Sequence, residues 1–469
     1  MTTTLPLPPR PDTLVTSLAP PAAHPRAGRL RTFGRAPRVV ALDIARGIAV
    51  LGMAAAHTAA LPGELRWDAP STWVELVNGR SSILFALLAG ISIAIMTGRT
   101  RVPTGAALAH ARLRLVARGL VIFVVGLVLE LLGTSIAVIL TFYGAVYAVA
   151  ILFVGMRVSS VLVWAASLAV AGPALVGGLM ALAPSSFGSG ITFVLEGTYS
   201  IVVWTALMLA GLALGRLDVT RRRTAALALA AGVVLSTVGY TVGGFWGEDQ
   251  YGDDSSWFSS GSESAVLDEW YEPEVVPGDE ADLTGLVCED YGDGYLSCYP
   301  EDDYTDVAGD ELAFEEDGSG WATYADAVAS ADVGGTMRSA FLSSSPHSGG
   351  TMEILGSGGL ALALVGLLLL TGEALRYVLL PVAAVGTMPL TAYTAHVVAI
   401  WAVTGPGGWS QPPLLFWSLA AGLLLGCTVW ALLVGRGPLE RLTARVSARL
   451  APRPVTVGPA GLEPTTSAV

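Results

Sequence analysis

Long apolar runs recur along the chain and leave few folds open to it. They lie at roughly 39–61, 81–98, 114–133, 135–155, 158–183, 198–215, 224–246, 352–371, 377–403 and 412–435. Most are about 18 to 25 residues long, the length a helix needs to cross a bilayer. In hydrocarbon a segment must satisfy its own backbone hydrogen bonds, so such a run folds as a helix. The expected fold class is all-α: a polytopic membrane helical bundle of about ten transmembrane helices, with cytoplasmic N and C termini. Composition agrees, because 53% of the 469 residues are hydrophobic and only 14% are charged, far from the soluble average.

Charge divides the chain into regions. Of the 38 acidic residues, 26 lie between Glu248 and Asp332. Outside 247–350 there are 12 acids against 25 arginines, and lysine is absent. The basic residues flank apolar runs, as the positive-inside rule expects, so no nucleic-acid partner is indicated. With the N terminus inside, about 22 of the 26 arginines fall on cytoplasmic segments, and the opposite orientation reverses that asymmetry. The domain reading is a disordered cytoplasmic tail at 1–37, helices 1–7 at 38–246, an acidic extracellular insertion at 247–350, helices 8–10 at 351–436, and a second cytoplasmic tail at 437–469. Cys288 and Cys298 sit in the insertion, where an oxidising exterior allows a small-loop disulfide. Cys427 lies in an apolar run and is expected to be a packing residue. The insertion lacks an Asp-x-Asp-x-Asp-Gly loop, so no calcium site is read there, and no metal site is expected.

The first run, LDIARGIAVLGMAAAH (42–57), carries three ionisable side chains in otherwise lipid-compatible sequence. On a helix Asp43 and Arg46 are three residues apart, and Arg46 and His57 eleven apart, so all three share one face. Val50, Met53 and Ala54 fill the stripe between them. Charged groups at such depth are costly against lipid, so this face should line the bundle interior or a wet cavity. An ion pair that only fixes helix packing is the plain alternative. Other groups fall near the outer depth of His57: Arg80, Glu130, His347, Glu353 and His396. Tyr143 and Tyr147 lie four apart in ILTFYGAVYA, and Tyr393 accompanies His396 in MPLTAYTAHVV. Together they suggest an outward-facing polar chamber holding a base and carboxylates that tune it.

These segments carry a family likeness. The Arg46–His57 spacing resembles the Arg-x10-His pattern of the acyltransferase 3 family. GRSSILFALLAGIS, ILTFYGAVYAVAILF, SPHSGGTMEILGSGGLALALVGLLLL and VGTMPLTAYTAHVV resemble the heparan-alpha-glucosaminide N-acetyltransferase group, over most of 39–435. The resemblance implies an integral membrane acyltransferase moving an acyl group, such as acetyl, from cytoplasmic acyl-CoA to a hydroxyl or amine of an envelope carbohydrate or lipid. No tightly bound cofactor is implied; acyl-CoA is the donor substrate. Arg46, with Asp43, would engage the donor and His57 would be the base, with His396 in reserve. Arg80, Glu130, Tyr143, His347, Glu353 and Tyr393 would shape the acceptor side. The heparan enzyme has its proposed active histidine in the loop after the first span; the same loop here has none, so the chemistry falls to His57 or His396. Two rivals remain: a transporter or exporter using the same polar interior, and a non-catalytic membrane protein. The expected location is the plasma membrane, multi-pass.

Overall fold

The computed structural model describes residues 38–59, 66, 68–183, 200–247, 286–290, 296–300, 321–408 and 413–452. The expected tail at 1–37, the expected tail at 437–469 beyond residue 452, and most of the acidic insertion lie outside the described residues.

Every apolar run becomes helical. In chain order these are α1 (Val40–Thr58), α2 (Arg80–Met96), α3 (Gly105–Glu130), α4 (Leu140–Phe153), α5 (Val158–Ala181), α6 (Ile201–Arg216) and α7 (Arg222–Trp246). A 3-10 helix (Pro70–Val77) leads into α2. After the insertion come α8 (Trp321–Ser330), α9 (Val333–Leu342), α10 (Thr351–Leu375), α11 (Leu380–Thr387), α12 (Pro389–Thr404), α13 (Pro413–Leu433) and α14 (Pro438–Leu450). Six are long and apolar enough to cross a membrane, or seven if α11 and α12 form one broken span. Helices α4 and α6 are apolar but shorter. Helix α3 is 26 residues long, and its exposed Leu113, Val116, Leu120, Val124, Leu127 and Val128 make a lipid-compatible stripe, with Arg112, Arg114 and Arg118 interleaved at its N-terminal end.

The ninth run departs from expectation. Rather than one span, it breaks between α11 and α12 with a bend of 92°. The break falls at Met388, whose backbone (φ −135°, ψ 55°) is outside the helical region, because a residue before proline is disfavoured there. Pro389 then starts α12 at the position where its missing N–H costs nothing.

Helix α1 is the axis of the bundle, packed by α2, α10, α11, α12, α13 and the 3-10 helix. Where α11 crosses it, Gly47 and Gly386 let the two backbones touch: a Cβ on Gly386 would overlap the Asp43 carbonyl, and one on Gly47 the Val382 carbonyl. The same device joins α7 to α10 through Gly232, Gly239, Gly356 and Gly359, as small residues do in membrane packing.

The insertion adds the only strands among the described residues, an antiparallel hairpin of β1 (Leu286–Asp290) and β2 (Leu296–Pro300). Its register sets Cys288 opposite Cys298. Directly opposed residues of such a ladder have Cα atoms about 4.5–5.5 Å apart, inside the range a disulfide spans. Helices α8 and α9 lie against α5: the Tyr324 hydroxyl donates to the Leu182 carbonyl at 2.9 Å, and Met337 packs on Gly178. Cys427 is buried in α13, as a packing residue should be.

Candidate active site

The charged face of α1 points inward. Asp43, in the first turn where the helix dipole favours a carboxylate, accepts from Arg46 Nη1 at 2.7 Å. Arg46 Nη2 donates to the Ser92 hydroxyl of α2 at 2.9 Å, and Arg38 stands 3.9 Å from the other Asp43 oxygen. The aspartate is buried, while the Arg46 side chain keeps 18% exposure.

Eleven residues on, about 16 Å along the axis, His57 meets His396 of α12. Their Nδ1 and Nε2 atoms are 3.2 Å apart, and the rings stack at 5.4 Å between centroids with 17° between planes. At that distance one nitrogen donates and the other accepts. His396 is fully buried. Its Nδ1 lies near the Ala392 and Tyr393 carbonyls but makes no well-formed hydrogen bond among the described residues. Tyr393 packs edge-on against His396 at 4.8 Å, and its hydroxyl accepts from the Ile139 N–H at 3.2 Å.

The third histidine joins from the loop before α10. His347 is within electrostatic reach of His57, and its Nε2 lies 3.1 Å from Asn78 Oδ1. It holds a positive φ of 67°, rare outside glycine and worth a functional question. Glu353 fixes that turn: its carboxylate accepts from the His347 N–H at 2.7 Å, the Gly349 N–H at 2.7 Å and the Ser348 hydroxyl at 3.3 Å. Burial pushes the His347 imidazole below its usual range, with the Glu75 carboxylate pulling the other way. A cavity with room for about one water lies beside it, lined among others by Ser82, Ser200, Trp204 and Glu353.

Several expected residues take other places. Glu353 is committed to the turn. Arg80 donates from Nε to the Tyr240 hydroxyl at 2.7 Å and from Nη1 to the Glu75 carbonyl at 2.9 Å; Tyr240 in turn contacts Ser357 at 2.8 Å. Glu130 is exposed at the end of α3, accepts from Thr141 at 2.8 Å, and interacts with Tyr393. Tyr143 is buried between Phe85 and Trp204. Val50, Met53 and Ala54, expected to line a common wet cavity between Arg46 and His57, are instead buried in the apolar core. Two residues escaped the sequence reading. Glu75 is buried, accepts from Asn78 Nδ2 at 2.6 Å, and keeps its other oxygen without a hydrogen-bond partner among the described residues. A lone carboxylate in the apolar stretch TWVELV, three residues before an asparagine, was the signal available.

An ion pair and an imidazole pair lie inside a multi-pass bundle, on one face of its central helix. Residues 38–241 match the family model described as heparan-alpha-glucosaminide N-acetyltransferase, catalytic, so this part of the chain is similar to that group of transmembrane acyltransferases. The match runs from α1 through most of α7, so it covers Asp43, Arg46 and His57 but not His347 or His396. It bears on the heparan-type likeness; the acyltransferase 3 pattern of the first helix stays a resemblance. No curated protein and no solved structure matches the chain.

Proposed function

We propose that the protein moves an acyl group, acetyl in the simplest case, from acyl-CoA on the cytoplasmic side to a hydroxyl or amine of an envelope carbohydrate or lipid. The observation that carries this is the His57–His396 contact on the α1 face that also bears the Asp43–Arg46 pair; α1, though not His396, lies within the segment matching an acyltransferase family. In this reading His57 Nδ1–H donates to His396 Nε2, which leaves Nε2 of His57 with the lone pair. That nitrogen takes the proton of the acceptor as its oxygen or nitrogen attacks the thioester carbonyl. The carbon–sulfur bond breaks, and the thiolate recovers the proton from the imidazolium to leave as free CoA. Arg46, partly exposed and paired with Asp43, is suited to hold an anionic part of the donor. A pantetheine arm spans the roughly 16 Å from Arg46 to His57 only if the packing around Val50 and Met53 opens, so donor entry is coupled to movement of the α11–α12 arm.

The test uses the protein in lipid nanodiscs with isotopically labelled acetyl-CoA and an extract of envelope glycans and lipids, read by mass spectrometry. Label should appear covalently on an acceptor with the native protein, and His57→Ala should abolish it while still inserting and folding. Normal transfer by that variant removes the mechanism. Solute flux in proteoliposomes without a modified product favours the transporter instead.

A further inference from the structure

The acyl-transfer reading gives no role to Glu75 and Asn78, yet these two residues determine how the third histidine enters the cluster. A carboxylate oxygen accepts hydrogen bonds, so the 2.6 Å contact between Glu75 Oε1 and Asn78 identifies the donor as the amide nitrogen. The other end of that amide is then a carbonyl oxygen, and it faces His347 Nε2 at 3.1 Å. A carbonyl cannot donate, so the proton of that contact sits on His347 Nε2. Turning the amide over would set oxygen against carboxylate at one end and lose the donor.

We propose that Glu75 and Asn78 form with His347 a carboxylate–amide–imidazole relay that fixes the proton of His347 on Nε2 and its lone pair on Nδ1. Glu75 and Asn78 are positioning residues. They act through His347, which is itself tied down by the positive-φ turn that Glu353 holds in place. Glu75 is buried on the 3-10 helix between α1 and α2, and burying a carboxylate is costly unless it is hydrogen-bonded. The Asn78 contact offsets part of that cost, and through it the carboxylate polarises an amide whose far end orients His347. The relay itself does not rest on the acyl-transfer reading.

The chain has five histidines, few enough for selective 15N-histidine labelling of the full protein in nanodiscs and nitrogen NMR of ring protonation. His347→Asn, a residue that tolerates positive φ, assigns the His347 signals. The native protein should show His347 protonated at Nε2. In Glu75→Gln, where the side-chain amide can meet Asn78 either way round, and in Asn78→Ala, the Nε2–H to Nδ1–H ratio should fall about tenfold, as expected for losing one charge-assisted hydrogen bond. The isosteric Glu75→Gln preserves the packing should Asn78→Ala fail to fold. A native His347 protonated at Nδ1, or a ratio unchanged in Glu75→Gln, overturns the relay. Because no substrate is involved, an Nε2–H signal from a protein that moves no acetyl group sustains the relay and sinks the acyl-transfer reading.

Discussion

A single turn of α1 illustrates how this bundle tolerates charge. Asp43 and Arg46 satisfy one another at 2.7 Å, with Ser92 taking a second guanidinium nitrogen, so the cost of removing two charges from water is offset by pairing. Such pairs contribute little net stability over apolar residues of the same size, but breaking one leaves a stranded charge. Asp43→Ala should therefore lower the unfolding free energy by roughly 3 kcal/mol, somewhat less because Arg46 reaches solvent. Asp43→Asn, which keeps the shape and one acceptor, should cost visibly less. Tryptophan-fluorescence melts in detergent compare the two. Equal melting temperatures for Asp43→Ala and the native protein would mean that Arg46 finds another partner and that the pair has no structural role. The inward orientation of Asp43, Arg46 and His57 was legible because eleven residues close three helical turns. The Glu75 oxygen that lacks a hydrogen-bond partner among the described residues was not, because that depends on where the 3-10 helix places the side chain in space.

At the scale of an element, the informative piece is α12. The sequence shows an unbroken apolar run at 377–403, and Pro389 reads equally as a kink within a span or as a break; the 92° bend is decided by what receives the new N-terminus. That receiver is Glu440 of α14. Its carboxylate accepts from the Leu390 N–H at 2.8 Å, the Thr391 N–H at 3.2 Å and the Thr391 hydroxyl, supplying partners for donors that any helix start leaves open and a negative charge where the dipole wants one. Fifty residues separate Glu440 from Leu390, so no local pattern announces the contact. Since α12 carries Tyr393 and His396, Glu440 anchors, from the N-terminal end, the helix that bears one half of the histidine pair. Glu440→Ala should cost about 1–2 kcal/mol of stability, the usual range for losing a cap. It should also reduce acyl transfer severalfold by loosening His396, while Glu440→Gln, which retains one acceptor oxygen, should fall between. A stability loss with unchanged turnover per folded molecule would show that α12 keeps its place without α14.

Over the whole molecule, the apolar runs announced the helices, and the acidic block announced an insertion, because both signals are carried by composition over tens of residues. Less visible was that the insertion is not separate from the bundle at its C-terminal end. Asp332 accepts from the Gly335 N–H at 2.8 Å and starts α9, and α9 seats Met337 and Ala340 against Gly178 and Gly177 of α5. The loop that follows delivers His347 to the cluster. Among the described residues, the part of the insertion after residue 320 packs on the bundle. Loop-closure entropy changes slowly with length, so replacing 251–318 by a short Gly-Ser linker should leave the bundle folded and acyl transfer within about twofold of native. Extending the deletion through 342 removes α9 and frees the His347 turn, and should abolish transfer even though α1 to α7 remain. Measuring label transfer from acetyl-CoA for the two deletions side by side separates the readings that the sequence left open. A scaffold acting through its acidic segment fails with the first deletion, whereas an enzyme whose third histidine is seated by α9 fails only with the second.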